Sequence, residues 1–325
     1  MSVAPPLWAA GRSVSRMRET TTEERAKLLA LLRARPDGRT WSELAAEVAL
    51  AGSAAEVWSD VTRGDSLLPD PRLVALSEAA HNDVVEWERR GLRMVTVLDA
   101  GYPQRLLEIR ETPPFLFVQG SLRSVDPGVS VVGSRDATQR GLSIAAEAAR
   151  LLVDRGLAVI GGLAAGIDSA AHRTALDLGG RTVAFIGTGI TKHYPAANRS
   201  LQEAIARDGL VLSQFLPDAP PTKHTFPMRN ATMSGYGLAT IVVEAGETSG
   251  TRIQARVAVQ HGRPVILTDD VASKTSWGAA LRDRPGVFVV SGIHELASAI
   301  DQVTARPQLF EDAVGLALQE LASAT

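Results

Sequence analysis

A strand, a helix and a second strand, with each strand ending in glycine, constrain this chain more than any other stretch. Residues 129 to 172 open with Val-Ser-Val-Val-Gly-Ser-Arg and close with Leu-Ala-Val-Ile-Gly-Gly-Leu-Ala-Ala-Gly-Ile-Asp-Ser-Ala-Ala-His. Between the two apolar runs, Ile144, Ala145, Ala148, Leu151 and Leu152 recur at helical spacing and give one buried face. Strand, helix, strand in that order makes parallel neighbours in one sheet, so both glycine turns fall at the same sheet edge. Each turn leads into a helix whose first N–H groups have no partner in the helix and carry the positive end of its dipole. Phosphate is the anion such ends attract. Arg135, directly after the first turn, adds a charge that can fork onto phosphate oxygens.

The alternation continues along the chain. Apolar strands are expected at Val129–Val132, Ala158–Ile160, Thr182–Ile186, Leu210–Leu212, Thr240–Val243 and Val265–Leu267, with a further one at Val287–Val290 and helical segments between them. Near-continuous apolar strands fit a parallel sheet covered on both faces. The fold class is therefore α/β: an extended Rossmann-like, doubly wound, mostly parallel sheet, with ligands at the carboxyl ends of its strands. Met94–Leu98 and Phe115–Val118 read as strands extending that sheet at one edge. Before them lie short helices, including one from Glu23 to Ala34 that Thr20, Thr21 or Thr22 can cap. The expected domains are a small helical one of SAM or helix-turn-helix type at 1–90, a Rossmann-like core at 91–305 and a C-terminal helix at 306–325. No second helix in the first domain is rich in lysine or arginine, which argues against duplex reading.

Composition narrows the chemistry. The 325 residues contain no cysteine, which removes disulfides, thiolate catalysis and cysteine-held metals and suits a cytoplasmic setting. Six histidines are scattered without metal-binding spacing, so neither metal nor cofactor is expected. The first residues have no signal-peptide pattern, and no apolar run approaches the roughly 20 residues that cross a bilayer. A formal net charge of −2 argues against coating of nucleic acid by bulk charge, so polyanion binding has to come from a local basic patch.

The loops expected at the carboxyl strand ends gather such a patch. They are Gly133-Ser134-Arg135, the stretch from Gly161 to Asp168 (with Gly162, Leu163, Ala164 and Gly166), Gly187 to Gly189, Ser213 to Phe215, and Glu244 to Thr251 (with Ser249 and Gly250). Lys192, Arg199, Lys223, Arg229 and Arg252 fall in or near them. Arg229 and Asn230 can contact phosphate or a base edge, and Phe226 can stack on a base, worth about 1–3 kcal/mol. Asp168 and His172, four apart, share a helix face. They read as a pair orienting the helix start, since a nucleophile–base arrangement has no third member. Glu244 suits either a ribose hydroxyl or a loop-shaping carboxylate. Tyr194-Pro195 is a turn whose ring more often packs than recognises.

Taken together these residues resemble a known family. Val-Val-Gly-Ser-Arg at 131–135, Gly-Leu-Ala-Ala-Gly-Ile-Asp at 162–168 with Ala171-His172, and Gly-Arg-Thr-Val-Ala at 180–184 come in order. Gly187-Thr-Gly-Ile, Tyr194-Pro195, Asn198-Arg199, Phe226-Pro227 with Arg229-Asn230, and Val243-Glu244-Ala245 with Ser249-Gly250 follow. Asp99 with Tyr102-Pro103, and Pro113-Pro114 with Gly120, match the segment that precedes the core. The set resembles the DprA/Smf family of bacterial DNA-processing proteins over about residues 94 to 265. The resemblance implies a homodimeric protein that binds single-stranded DNA without turnover, protects incoming DNA in transformation and helps load the RecA recombinase. It places Arg135 and the 161–166 loop on phosphate, with Lys192, Lys223 and Arg229 as further basic contacts.

The chain also departs from the family. Ala165, Met228 and Ala231 stand where arginine is common, and Ser249-Gly-Thr-Arg-Ile-Gln-Ala255 replaces Ser-Gly-Ser-Leu-Ile-Thr-Ala. Thr268-Asp269-Asp270 stands where Pro-Gly usually follows the strand. Fewer cations mean weaker phosphate contact and a flatter salt dependence, with Arg252 restoring one charge. The alternative reading is an enzyme or sensor of a nucleoside monophosphate. Gly250-Thr251 fits its Pro-Gly-Gly-x-Gly-Thr-x-x-Glu signature, but the leading glycine pair is absent. A nicotinamide dehydrogenase is disfavoured because Gly133 is followed by Ser134-Arg135 rather than by its glycine fingerprint.

Overall fold

The computed structural model describes residues 19–63 and 70–305. The C-terminal helix expected at 306–325 lies outside the described residues. The first helices are α1 (Thr22–Ala34), α2 (Trp41–Ala51), α3 (Ala54–Thr62) and α4 (Pro71–Arg89). Each starts on the cap its sequence offers. Thr21, Ser53 and Asp70 accept from backbone N–H groups of α1, α3 and α4, and Thr40 with Glu43 forms a reciprocal capping box on α2. Leu28, Leu29, Leu31 and Leu32 of α1 are buried, together with Leu44, Val57, Trp58, Val84 and Trp87 of the other three.

Nine strands are described: β1 (Arg93–Thr96), β2 (Phe115–Gly120), β3 (Gly128–Val132), β4 (Ala158–Gly161), β5 (Thr182–Phe185), β6 (Leu210–Ser213), β7 (Ala239–Val242), β8 (Val265–Thr268) and β9 (Val287–Val290). The helices among them are α5 (Gln139–Asp154), α6 (Ile167–Asp177), α7 (Arg199–Asp208), α8 (Thr225–Tyr236), α9 (Thr251–Gln260), α10 (Asp269–Lys274) and α11 (Ser276–Leu281). A last helix covers 293–305. The sheet is mixed and mostly parallel, as the apolar runs require.

The chain divides into two compact units, Met1–Asp126 with Thr182–Tyr236, and Pro127–Arg181 with Gly237–Thr325. In the first, the strand order is β1-β2-β6-β5; β2 is antiparallel to both β1 and β6, and β5 and β6 are parallel. The outer strand is thus β1, with β2 inside it. Asp99 ties this edge down: its buried carboxylate accepts from Thr20 N–H at 2.7 Å, Thr96 N–H at 2.6 Å and the Thr96 hydroxyl at 2.9 Å. Tyr102, fully enclosed, donates its hydroxyl to the Pro113 carbonyl at 2.6 Å, and burial raises its pKa well above the usual tyrosine value. The Asp99-Tyr102-Pro103 segment is therefore architectural.

In the second unit the order is β4-β3-β7-β8-β9, all parallel, with Ser130 of β3 in register with Ile160 and Thr240. Val129, Val131, Val159, Ile241, Val243 and Ile266 point to one face. There they pack on Ala145, Ala148 and Leu152 of α5, Ile167, Ala171 and Ala175 of α6, and Leu296, Ile300 and Val303 of the last helix. The alternate residues face the other way, where α9 covers β7 and β8. After β8 the chain does not turn as a Pro-Gly would. Thr268 caps α10 by accepting from Val271 N–H at 3.4 Å, and Asp269 and Asp270 fill its first turn, where negative charge is favoured.

Candidate nucleic-acid interface

In the second unit, β3 runs directly into Gly133. A Cβ at this position would come within 2.6 Å of Ile167 Cγ1 and 2.7 Å of the Glu244 carbonyl oxygen. Only glycine lets the turn pass between α6 and the loop after β7. Ser134 N–H then donates to the Glu244 carbonyl at 2.6 Å, and the Ser134 carbonyl accepts from Ile167 N–H at 3.2 Å. The second turn lies against the first, backbone on backbone. Gly166 has φ 73° and ψ −122°, and a Cβ there would fall on the Ser134 carbonyl oxygen and within 2.7 Å of that of Arg135. Leu163, fully buried, holds φ 58°, unusual for a bulky residue. Such strain persists only where the surroundings impose it, so these turns are shaped in advance of any ligand.

The sequence suggests backbone N–H groups facing an anion, but several are turned inward. Ser134 N–H donates to the Glu244 carbonyl and Ile167 N–H to that of Ser134, and Gly162 N–H donates to the buried Asp168 carboxylate at 2.7 Å. Ser169 donates its hydroxyl to the Ala164 carbonyl at 2.5 Å. His172 is fully buried against Gly161, where a Cβ would come within 2.6 Å of its Nε2. Asp168 and His172 thus hold the 161–166 loop.

Glu244 has a similar task. Its carboxylate accepts from Thr138 N–H at 3.1 Å and from the Thr138 hydroxyl at 2.6 Å, while Thr138 caps α5 by accepting from Gly141 N–H at 3.0 Å. Of its two readings, this geometry is the loop-shaping one. Both helix starts therefore already hold a carboxylate, Glu244 at α5 and Asp168 in the first turn of α6. Arg135 stands exposed at the outer end of the first turn.

The 244–252 loop closes the same edge. Thr251 donates its hydroxyl to the Gly133 carbonyl at 3.3 Å, and Ser249 Oγ accepts from Thr251 N–H at 3.2 Å. Glu247 accepts from Ser276 N–H at 2.9 Å and from its hydroxyl, and these two bonds lower its carboxyl pKa. Gly250 has open space where a side chain would project, and Arg252 is exposed in the first turn of α9. A cation there opposes the helix dipole.

In the first unit, the chain after β5 stays buried through Gly187, Thr188 and Gly189, then emerges at Lys192. Phe226 packs on Gly187, where a Cβ would come within 2.6 Å of the ring. Lys223 is exposed just before α8. Arg229 is only 6% exposed. Its Nη1 donates to the Phe185 carbonyl at 2.6 Å, its Nε donates to Asn230 Oδ1 at 2.9 Å, and its guanidinium lies 6.0 Å from the centre of the Phe226 ring. The structure thus makes Arg229 a buried group that braces Phe226, with Asn230 accepting from its Nε, rather than a surface cation. Met228, where the family has arginine, is 47% exposed, whereas Ala231 is buried.

Two acids that sequence reasoning passed over neutralise part of this basic set. Asp218 accepts from Arg90 Nη1 at 3.1 Å and from the Thr191 hydroxyl at 2.7 Å, and lies 3.8 Å from Lys192 Nζ. Glu203 pairs with Arg199 at 2.8 Å and lies 3.8 Å from His193 Nε2. The Arg199–Glu203 pair is four apart on one helix and could have been read from spacing; Asp218 meets Arg90 from 128 positions away and leaves no local signal. The Arg90 hydrogen bond, then that of Thr191, lowers the Asp218 pKa. A depressed carboxylate contributes at and above its ordinary pKa and is lost as pH falls through its lowered value, so the clasp is intact at neutral pH. Asp218→Asn should release Lys192 and Arg90 and tighten polyanion binding a few-fold at low salt, roughly the gain from one or two exposed charges. Titration against a labelled strand checks this, and weaker or equal binding by a folded variant removes Asp218 as a brake.

Among the described residues no cluster of histidine, aspartate and glutamate could hold a metal ion, and no helix is long and apolar enough to cross a membrane.

Comparison with known proteins places the chain in a family. Protein Smf of Synechocystis is 38% identical over 186 residues, covering 56% of this chain and 47% of that protein. DNA processing protein DprA of Streptococcus pneumoniae is 42% identical over 172 residues, covering 53% of this chain and 61% of that protein. The aligned regions thus span about half to three fifths of these relatives. The solved structure of Streptococcus pneumoniae DprA superposes with a TM-score of 0.63 at 28% identity, covering 86% of this chain and 98% of that one. DNA processing protein A of Helicobacter pylori shares the fold, with a TM-score of 0.56 at 22% identity over 62% of this chain and 93% of that one. The family model for DNA recombination-mediator protein A matches residues 93–304, well over half of the sequence, and the chain belongs to that family, the DprA/Smf proteins.

Proposed function

We propose that this chain binds single-stranded DNA without turning it over, protects it, and acts with the RecA recombinase in DNA processing. The observation that carries the reading is Arg135, an exposed cation at the end of a turn whose shape is fixed by Gly133, Gly166 and the Glu244 carbonyl. Arg135 and Arg252 contact phosphates, while Gly161, Gly162, Leu163, Ala164, Gly166, Ser249 and Gly250 set the loop shape around them; Lys192 and Lys223 are further phosphate contacts. Arg252 supports the reading, because a bound phosphate offsets the cost of a cation at a helix start. The Helicobacter pylori relative has a single-stranded DNA binding mode, which agrees with this assignment. A homodimer acting in the cytoplasm completes the proposal, since two copies on one strand raise avidity without new contacts.

Base contacts are few and tolerant of sequence, because phosphate contacts position a strand without reading it. The test is binding of a labelled poly-thymidine strand at two salt concentrations, with duplex DNA and a nucleoside monophosphate as competitors. The reading expects salt-sensitive binding, with a logarithmic slope of about −0.7 per phosphate contact, that duplex displaces poorly. Failure to bind the strand, with the monophosphate bound or cleaved instead, would move the chain to small nucleotides.

A further inference from the structure

We propose that Tyr194 is a stacking plate for one unpaired nucleobase, an inference that rests on the single-stranded DNA reading above. Tyr194 is 42% exposed, among the more exposed large apolar side chains of the described residues. Behind it lies a graded series of planar groups. The Tyr194 and Phe226 ring centres are 5.5 Å apart with planes inclined at 43°. Phe226 in turn packs on Gly187 and lies 6.0 Å from the guanidinium of Arg229, which the Phe185 carbonyl anchors. One end of the series is buried and the other is a phenol open to solvent.

The backbone that presents the ring is fixed on both sides. Before it, Lys192 N–H donates to the Gly189 carbonyl at 3.0 Å, and the Lys192 carbonyl accepts from Gln202 Nε2 at 3.0 Å. After it, Asn198 N–H donates to the Pro195 carbonyl at 2.9 Å. A tyrosine serving the core alone buries its ring and pairs its hydroxyl, as Tyr102 does. Tyr194 instead offers a rigid outer face at little further entropic cost, with Lys192 and His193 immediately before it and Arg199 five residues on. An aromatic face beside cations is the arrangement that takes a base together with its flanking phosphates. Asp218 pairs with Lys192, and Glu203 with Arg199 and His193.

The experiment uses the full chain and two strands of equal length, one of thymidines and one with abasic sites at internal positions. The wild type should prefer the thymidine strand. Tyr194→Ala should weaken thymidine binding by roughly tenfold, the scale of one lost stack, and abasic binding little. Tyr194→Phe should behave as wild type. Tyr194→Leu keeps an apolar contact on Phe226 and should lose as much as the alanine variant, which covers the case in which alanine perturbs folding. Equal losses on both strands, or unchanged thymidine binding by folded variants, overturn the stacking role while leaving the DNA reading in place. A wild-type chain that binds neither strand overturns the DNA reading and this proposal with it.

Discussion

Replacing Gly166 by alanine should lower the stability of the chain by about 3 kcal/mol and abolish high-affinity strand binding together. Two independent costs meet at this position. The backbone at φ 73° and ψ −122° lies where side-chain-bearing residues pay roughly 1–3 kcal/mol. The new Cβ would also collide with the carbonyl oxygens of Ser134 and Arg135. Both obstacles are backbone atoms of a turn held by the Glu244 carbonyl and Ile167, so neither can rotate aside as a side chain would. The only relief is to separate the two turns, which shifts Arg135. For a unit of this size a loss of that order lowers Tm by roughly 6–12 °C. Gly250→Ala is the matched control. Gly250 has φ −60° and open space around it, so alanine there should leave melting unchanged within error. A Gly166→Ala protein that melts within about 2 °C of wild type and binds normally would refute the account of the paired turns.

Arg135→Ala should act on binding alone. The side chain is exposed, and exposed substitutions change stability little, so melting should stay close to wild type. One charge-assisted phosphate contact is worth about 1.5–3 kcal/mol, a loss of roughly ten- to over a hundredfold in affinity. The salt slope should also become shallower by about 0.7, the signature of one phosphate contact removed from a single strand. The slope distinguishes a lost contact from a general weakening, which would lower affinity without changing it. Unchanged affinity and slope in a folded Arg135→Ala protein would take this residue out of the interface.

Much of the architecture could be read in the residues because its signals are local. The strands from Val129 to Leu267 are apolar runs broken by glycine, and the structure places β3 to β8 within a residue or two of them. Thr21, Thr40 and Asp70 cap helices because a cap needs only a hydroxyl or carboxylate and the next turn of chain. Phe115–Val118 could be recognised as a strand, but its antiparallel pairing with β6 could not, since that partner lies about a hundred positions away. The helices α10 and α11 start on caps that spacing rules can find, Thr268 with Asp269 and Asp270 for the first and Thr275 for the second, yet each is too short to show a periodic face.

The site was legible as a set of loops rather than as a set of roles. Glycines at 133 and 166 mark close approach of backbone, and the structure shows what approaches them. The roles of Glu244, Asp168 and Arg229 depend on contacts distant in sequence or on burial, which no window on the sequence displays. Arg229 reads as a surface cation beside Lys223 and is instead an internal brace of Phe226. Tyr194, which reads as packing, keeps a free face.

The carboxylates seated at the starts of α5 and α6 bear on which anions these turns favour. A lone phosphate or a free nucleotide approaching these turns meets sites whose own acids have already drawn on the local positive potential, and gains little beyond one arginine's worth of attraction. Only a ligand that carries many charges in a row can add up several such small gains. A cell is crowded with orthophosphate, nucleotides and metabolite phosphates, and a notch open to any of them would be permanently occupied. By filling its strongest anion positions from within, the chain lowers the gain that any single small phosphate finds at these turns.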